Sequence, residues 1–407
     1  MRRHNLAGLH TPTGILALCL IVAGVVIGPA RAFAGSTTTT TTTTTTTGST
    51  SSSTIVAAPT AAANLSCAEK TVSTWSVPQL ANETIVVSVN VANVGAMVPA
   101  AQAGFGGLLL FGVSAPANIS ATIARVQARA LHGFPMLIMT DEEGGGVQRL
   151  TNVIGSIPWA ATMGRNLTPQ RIEGLATRIG KSMLNAGVTV DLAPVLDVDG
   201  RRVEPGRANP DGLRSFSGSP AVVARDGTAF MRGLGAANVT AVVKHFPGLG
   251  GSSQNTDYGA ATTLPWAQLE KTGLIPFEIA INAGVRAVML SNATVPGLTS
   301  LPSSLSPVVV QVLRGRLGFT GLVMTDALTA GAISAIHLSP QLAALKALQA
   351  GADMVLAGSP SSPSASLVLA HSMASAIVTG VNTGTLSMTQ LRGAAAQVLA
   401  TRNLLSC

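Results

Sequence analysis

Seven short, almost uninterrupted apolar runs, separated by longer alanine-rich segments, limit what this chain can build. The runs are Gly107–Phe111, Met136–Thr140, Val188–Leu192, Ala241–Lys244, Ala287–Ser291, Leu322–Thr325 and Asp353–Ala357. Val, Ile, Leu and Met fill them nearly end to end, as in strands covered on both faces. The stretches between them, such as Asn118–Leu131, Gln170–Ala186 and Pro220–Ala237, have the length and the Ala, Arg and Leu content of helices. Asn118 is placed to cap the first of these, and Pro220 suits the first turn of the third. Seven βα units over about 330 residues predict a single α/β domain of the (β/α)8 TIM-barrel type, with a doubly wound open sheet as the alternative.

One regularity favours the barrel. Chemically capable residues stand where the runs end: Asp141, then Asp191 and Asp197, then Lys244 with His245, then Asn292, then Asp326. A closed barrel gathers the C-terminal ends of its strands on one face, where the loops are free to carry a site.

The N-terminal part reads differently. Arg2 and Arg3 precede an apolar stretch from Ile15 to Ile27 and the small-x-small site Ala32-Phe33-Ala34, so residues 1–34 are expected to be a secretory signal peptide. The apolar stretch is short for a bilayer span, which makes an uncleaved anchor the lesser alternative. Leu18 before Cys19 argues against a lipoprotein signal. Residues 35–63 include an unbroken threonine run, Thr37 to Thr47, and have nothing to bury; a disordered tether is expected there. The folded domain is expected over residues 64–407, acting as a monomer outside the cytoplasmic membrane, secreted or associated with the cell envelope.

Removing residues 1–34 lowers the formal charge from +8 to +5, with the surplus spread along the chain. So mild and dispersed a surplus does not signal a nucleic-acid site, and no nucleic-acid partner is expected. Cys67 and Cys407 are the two cysteines beyond the leader, without a CxxC pair, so one disulfide between them is expected in an exported chain. Two separate buried thiols are the alternative.

Three stretches carry chemical information. Asp141-Glu142-Glu143-Gly144-Gly145-Gly146-Val147-Gln148-Arg149 combines glycines that let backbone approach a ligand with an Asp and an Arg able to clasp vicinal hydroxyls. A solvated turn would also read this way. Lys244-His245-Phe246-Pro247-Gly248-Leu249-Gly250 sets two polar side chains at a strand end. Met324-Thr325-Asp326-Ala327-Leu328 sets an Asp there, which could equally cap the next helix.

Together with Ala193-Pro194-Val195-Leu196-Asp197, Arg214-Ser215-Phe216, Leu313-Arg314, Leu317-Gly318-Phe319 and Gly351-Ala352-Asp353, these stretches resemble glycoside hydrolase family 3, in particular its single-domain β-N-acetylhexosaminidase branch. The resemblance runs over about residues 80 to 360. It implies a retaining mechanism with Asp326 as nucleophile and with Asp141, Arg149, Arg214, Lys244 and His245 holding the terminal sugar. It implies neither cofactor nor metal, and no His/Cys/Asp cluster has metal-ligand spacing in the sequence. No second carbohydrate domain is expected.

The chain also departs from the pattern of that branch. The acid/base there is a histidine paired with an aspartate in a D-S-H run. Here the loop reads Gly251-Ser252-Ser253-Gln254-Asn255-Thr256-Asp257-Tyr258-Gly259: Asp257 matches the aspartate, and Gly259 stands in place of the histidine. Leu249 and Asn292 likewise replace histidines. Asp257 is therefore the candidate acid/base, although Asn-Thr-Asp in a Gly-rich loop could simply be a turn. The expected activity is release of terminal GlcNAc from cell-wall or related saccharides. The alternatives are a β-glucosidase of the same family, transfer to a bound anion as in phosphorolysis, and a sugar-binding protein with a degenerate site. His132, His337 and His371 have no partner motif and are expected at the surface or in packing.

Overall fold

Each apolar run becomes a parallel strand because its alternate side chains are buried on opposite sides. In the computed structural model, which describes residues 61–358 and 362–402, eight strands form the sheet: β1 Ile85–Asn90, β2 Gly107–Phe111, β3 Leu137–Thr140, β4 Val190–Asp191, β5 Thr240–Phe246, β6 Ala287–Leu290, β7 Leu322–Thr325 and β8 Val355–Leu356. Neighbours are parallel and run in chain order from β1 to β7, with β8 beside β1. A parallel bridge between Met324 and Met354 joins β7 to β8 and closes the ring. This is the (β/α)8 barrel, and closure excludes the open sheet.

Side-chain alternation shows why the runs are continuously apolar. Leu108 and Leu110 of β2, Ile138 of β3, Val243 of β5, Val288 and Leu290 of β6 and Val323 of β7 pack outward with the helices. Leu109, Leu137, Met139, Val190, Val242, Met289, Leu322, Met324, Met354 and Leu356 fill the interior. Gly107 leaves room there for the methionines, since a Cβ would lie 3.0 Å from the ends of both Met139 and Met354. Val398 of the helix Met388–Thr401 belongs to the same interior cluster.

The helices fall between the strands as the sequence predicts: Ile119–Gln127, Pro169–Ala186 and Pro220–Ala236. Asn118 makes no side-chain cap, while Thr168, one residue before Pro169, accepts from the Arg171 amide and starts the second helix. The eighth strand, β1, was not among the seven runs. It follows the helix Val77–Glu83 with only Thr84 between, and Ser88 interrupts its apolar character. The run at 188–192 is a ladder of only two residues, extended by bonds from Thr189 N to Ile138 O and from Leu192 N to Thr140 O, 2.9 and 2.8 Å.

The first described helix, Ala61–Val72, carries a buried, disulfide-bonded Cys67. Cys407, its expected partner, lies outside the described residues, as do the expected leader at 1–34 and all of the 35–63 tether up to residue 60. Among the described helices, Pro363–Asn382 is long and apolar enough to cross a membrane by length and composition. Here it buries Ala370, Met373 and Ile377, and the Ser366 hydroxyl bonds to Ser88 O of β1.

Candidate active site

A cavity of about 480 Å3 opens at the C-terminal ends of the strands, floored by Leu109, Leu192, Met289 and Leu356 of the barrel interior. Asp141, Arg149, Arg214, Lys244, His245, Asp257 and Asp326 all line it. Every catalytic or sugar-binding candidate read from the sequence is therefore brought to one place.

The segment after β3 builds the first wall. Glu142 is buried and accepts from the amides of Arg149 and Leu150, the Thr140 hydroxyl and the Gln148 side-chain amide, at 2.9–3.2 Å. Burial pushes its carboxyl up to about 7. Those four bonds pin a small hairpin, Glu142–Gly144 with Val147–Gln148, against its own base. Because side chains alternate along extended backbone, Asp141 and Glu143 on either side of Glu142 face the cavity. The turn needs glycine: Gly145 has φ +57°, and a Cβ would lie 1.9 Å from the Trp159 ring.

Lys244, two residues before the end of β5, bridges the two acids, with Nζ 2.8 Å from Asp141 and 2.6 Å from Glu143. Arg214 grips Glu143 with two parallel bonds, Nε at 2.7 Å and Nη2 at 2.8 Å, and donates from Nη1 to Pro210 O at 2.8 Å. Burial opposes the charge on Glu143, but Arg214 and Lys244 outweigh it and hold the carboxyl well below the usual range. Arg149 stands apart. Its Nη2 is 3.7 Å from Asp141, its guanidinium lies 5.8 Å from the Phe111 ring, and its buried Nε has no hydrogen-bond partner.

His245 is held from one side by Asp197: Nδ1 is 2.6 Å from Oδ2, and the His245 backbone amide also bonds to that carboxylate. Nε2 faces Arg214 Nη2 at 3.4 Å. Burial and then the Arg214 charge push the imidazole down to about 4. A neutral ring with its proton on Nδ1 fits both contacts, since Asp197 accepts and Arg214 donates. The peptide between Lys244 and His245 is cis.

Asp326 follows β7. Its Oδ1 accepts from the Ala327 amide at 2.7 Å, and burial raises its carboxyl, with His245 opposing and Asp257 adding to the rise. Asn292, which stands in place of a histidine, does not line the cavity. It donates to Ala327 O at 2.8 Å and accepts from the Ser304 hydroxyl at 2.6 Å, fixing the backbone beside Asp326. Leu249 does line the cavity, and its amide donates to Asp197 at 2.6 Å.

Within the loop at 251–259, Asn255, Thr256, Asp257 and Tyr258 form the second wall. The Asn255 amide bonds to Arg207 O at 2.9 Å, and the amides of Gly331 and Ala332 bond to Asp257 O and Thr256 O at 3.0 and 2.9 Å. The Arg207 guanidinium lies 5.2 Å from the Tyr258 ring. Asp257 and Tyr258 are exposed at the cavity rim.

Residues 81–401 match the model of the Glycosyl hydrolase family 3 N terminal domain. The chain belongs to glycosyl hydrolase family 3. Among its relatives within the family, Beta-hexosaminidase LpqI of Mycobacterium tuberculosis is 37% identical over 234 residues, 55% of this chain and 58% of that protein. An uncharacterized secreted glycosyl hydrolase of Arthroderma benhamiae is 32% identical over 312 residues, 74% and 85% of the two chains. The crystal structure of the β-N-acetylhexosaminidase of Beutenbergia cavernae superposes with a TM-score of 0.72 at 31% identity, covering 81% of this chain and 99% of that one. The match to LpqI thus spans a little over half of its length.

Three side chains of the site have no role that the family 3 motifs reveal. Glu143 lies inside the Asp141–Arg149 stretch, and Asp197 ends the Ala193-Pro194-Val195-Leu196-Asp197 stretch, but nothing in the spacing says that one pairs with Arg214 and the other with His245. Asp211 had no motif at all. One ligand-type atom from each of Asp197, Asp211 and His245 lies within 4.8 Å of the others, a cluster that separations of 14 and 34 residues hide.

Proposed function

We propose that this family 3 chain is a retaining exo-β-N-acetylglucosaminidase that releases terminal GlcNAc from peptidoglycan-derived or related saccharides outside the cytoplasmic membrane. Asp326 attacks the anomeric carbon, and a covalent glycosyl-enzyme is then hydrolysed. What carries the reading is the placement of Asp326 in the same cavity as the Asp141–Lys244–Glu143–Arg214 network, with an apolar floor beneath. Asp141, Arg149, Arg214, Lys244 and His245 hold the sugar by charge-assisted bonds to its hydroxyls. The unpartnered Arg149 Nε supports that role for Arg149.

Asp257 protonates the departing oxygen and later activates water. Its support is its place on the rim of the cavity that holds Asp326, and its electrostatic influence on that carboxyl. The expected leader, the tether, the Cys67–Cys407 disulfide and the monomeric state belong to the same proposal. So does the envelope location, which is in keeping with the word "secreted" in the name of the Arthroderma relative.

The test is to trap the intermediate with a fluorinated GlcNAc-type glycosyl fluoride and map the label by peptide mass spectrometry, alongside rates on the nitrophenyl glycosides of GlcNAc and glucose. Label on Asp326 and preference for GlcNAc support the proposal. Preference for glucose would make the chain a β-glucosidase, and binding without label or turnover would make it a sugar-binding protein.

A further inference from the structure

Two buried carboxyl groups lie against each other behind the sugar clasp, and their hydrogen bonds are unequal. Asp197 accepts from three N–H groups, the amides of Leu249 and His245 and His245 Nδ1. Asp211 is fully buried, and no donor among the described residues reaches either of its oxygens. Its immediate polar neighbours are the Asp197 carboxylate and the His245 ring. A carboxylate without a single donor in such a place carries the full cost of desolvation, and two facing acceptors become a bond only when one of them holds a proton.

We infer that Asp211 is a neutral carboxylic acid in the folded protein and that its O–H donates to Asp197, making it a positioning residue for His245. The three donors on Asp197 mark it as the ionised member, so the proton belongs to Asp211. Burial and then the Asp197 charge raise the Asp211 carboxyl well above the ordinary range, while Arg214 and His245 oppose the rise and Asp199 adds to it. These are the charged and titratable groups that face it, and Arg214 is already engaged by Glu143. A cation shared by Asp197, Asp211 and His245 fits less well. A Nδ1–Oδ2 separation of 2.6 Å is a hydrogen bond, and the Arg214 guanidinium stands on the other side of the ring.

The chain Asp211–Asp197–His245 therefore runs from a buried proton to the imidazole that faces the sugar. Its loss should act on substrate positioning. The kinetic arm of the test rests on the activity proposed above, and the other two arms do not.

Asp211→Asn supplies an N–H where the acid supplies an O–H, and Asp211→Ala supplies nothing. At neutral pH the wild-type-minus-Asp211→Asn infrared difference spectrum should show a protonated carboxyl C=O band. Urea unfolding from pH 5 to 8 should show Asp211→Asn gaining stability relative to wild type as pH rises, because a carboxyl raised in the folded state loses its contribution on that side. In turnover, Asp211→Asn should stay within about threefold of wild type. Asp211→Ala should raise KM about tenfold with a smaller change in kcat, the effect of one lost hydrogen bond to a charged acceptor. Absence of the infrared band overturns the inference, as does an Asp211→Asn variant as impaired as Asp211→Ala. So does a thermal shift on adding Zn2+ or Mg2+ that wild type shows and Asp211→Asn lacks, since the site would then hold a cation.

Discussion

Gly331, which follows β7 and the Asp326 loop, has no side chain at the point where Gly259 crosses it. A Cβ at position 331 would stand 2.6 Å from Gly259 N, 2.6 Å from Tyr258 C and 2.8 Å from Asp257 O. All three are backbone atoms, so nothing nearby can rotate away. Gly331 also donates its amide to Asp257 O. The loop that carries Asp257 is thus seated on the loop that follows Asp326, with one glycine as the seat.

Gly331→Ala should therefore unseat the loop that carries Asp257, the proposed acid/base, without unfolding the barrel. Its φ lies outside the left-handed region, so alanine brings contact and no backbone strain. A displacement near 1 Å at a reacting group costs up to about 10²-fold in rate, while overpacking of this kind costs about 1–3 kcal/mol in stability. We expect kcat to fall about tenfold or more on a poor leaving group, and less on dinitrophenyl glycosides, which need little protonation. Equal losses on both substrates, or wild-type rates, would show that the seat does not position the acid.

Asp257 itself is tested by its dependence on the leaving group. With Gly259 in place of the expected histidine, no imidazole from this loop shares the work. Asp257→Ala should slow nitrophenyl glycosides about 10²–10⁴-fold, the range for one positioned proton donor. It should spare dinitrophenyl glycosides in the first, glycosylating step, and azide should restore turnover by trapping the glycosyl-enzyme. No rescue, together with equal damage to good and poor leaving groups, would remove Asp257 from the acid role.

How much of this was legible in the sequence depends on the range over which each feature is determined. The strands could be read because burial on both faces writes itself into adjacent residues, as in Gly107–Phe111. β1 escaped because Ser88 breaks its run. The cavity residues could be read because barrel closure collects strand ends, so Asp141, Lys244 and Asp326 meet without sequence proximity. Pairings between walls were not legible: Glu143 with Arg214 spans 71 residues, and its counterpart Asp197 with His245 spans 48. Asn292 marks the boundary, since its position at a strand end was plain while its inward turn to Ala327 and Ser304 depends on tertiary packing.

Glu143 should be a large contributor to stability. Its carboxylate pairs with two buried cations, and removing it leaves Arg214 without its bidentate partner and Lys244 with Asp141 alone, at about 3–5 kcal/mol. Glu143→Gln is expected to lower the urea midpoint accordingly at neutral pH. Because its folded-state carboxyl is held below the unfolded value, the contribution is present above about pH 4.3 and fades as pH falls through the folded value. The gap between wild type and Glu143→Gln should therefore narrow on acidification below that point. A gap constant from pH 7 to 3 would mean that packing, and not charge, sustains it.

His245 makes a prediction of the same sign in a higher pH window. With its imidazole pushed down to about 4, the folded protein binds fewer protons at this ring than the unfolded chain, whose histidine titrates near 6.5. Stability should consequently fall as pH drops from about 6.5 toward 4, and that slope should flatten in His245→Gln. The same assignment keeps the ring neutral above about pH 5, so no limb of the pH–rate profile near neutrality should belong to it. Nitrogen-detected NMR gives the direct measurement: one protonated nitrogen, Nδ1, and one bare nitrogen, Nε2, from pH 5.5 to 8. A doubly protonated ring at pH 6 would overturn the neutral assignment and make His245 a competitor of Asp257 for the proton donor's role.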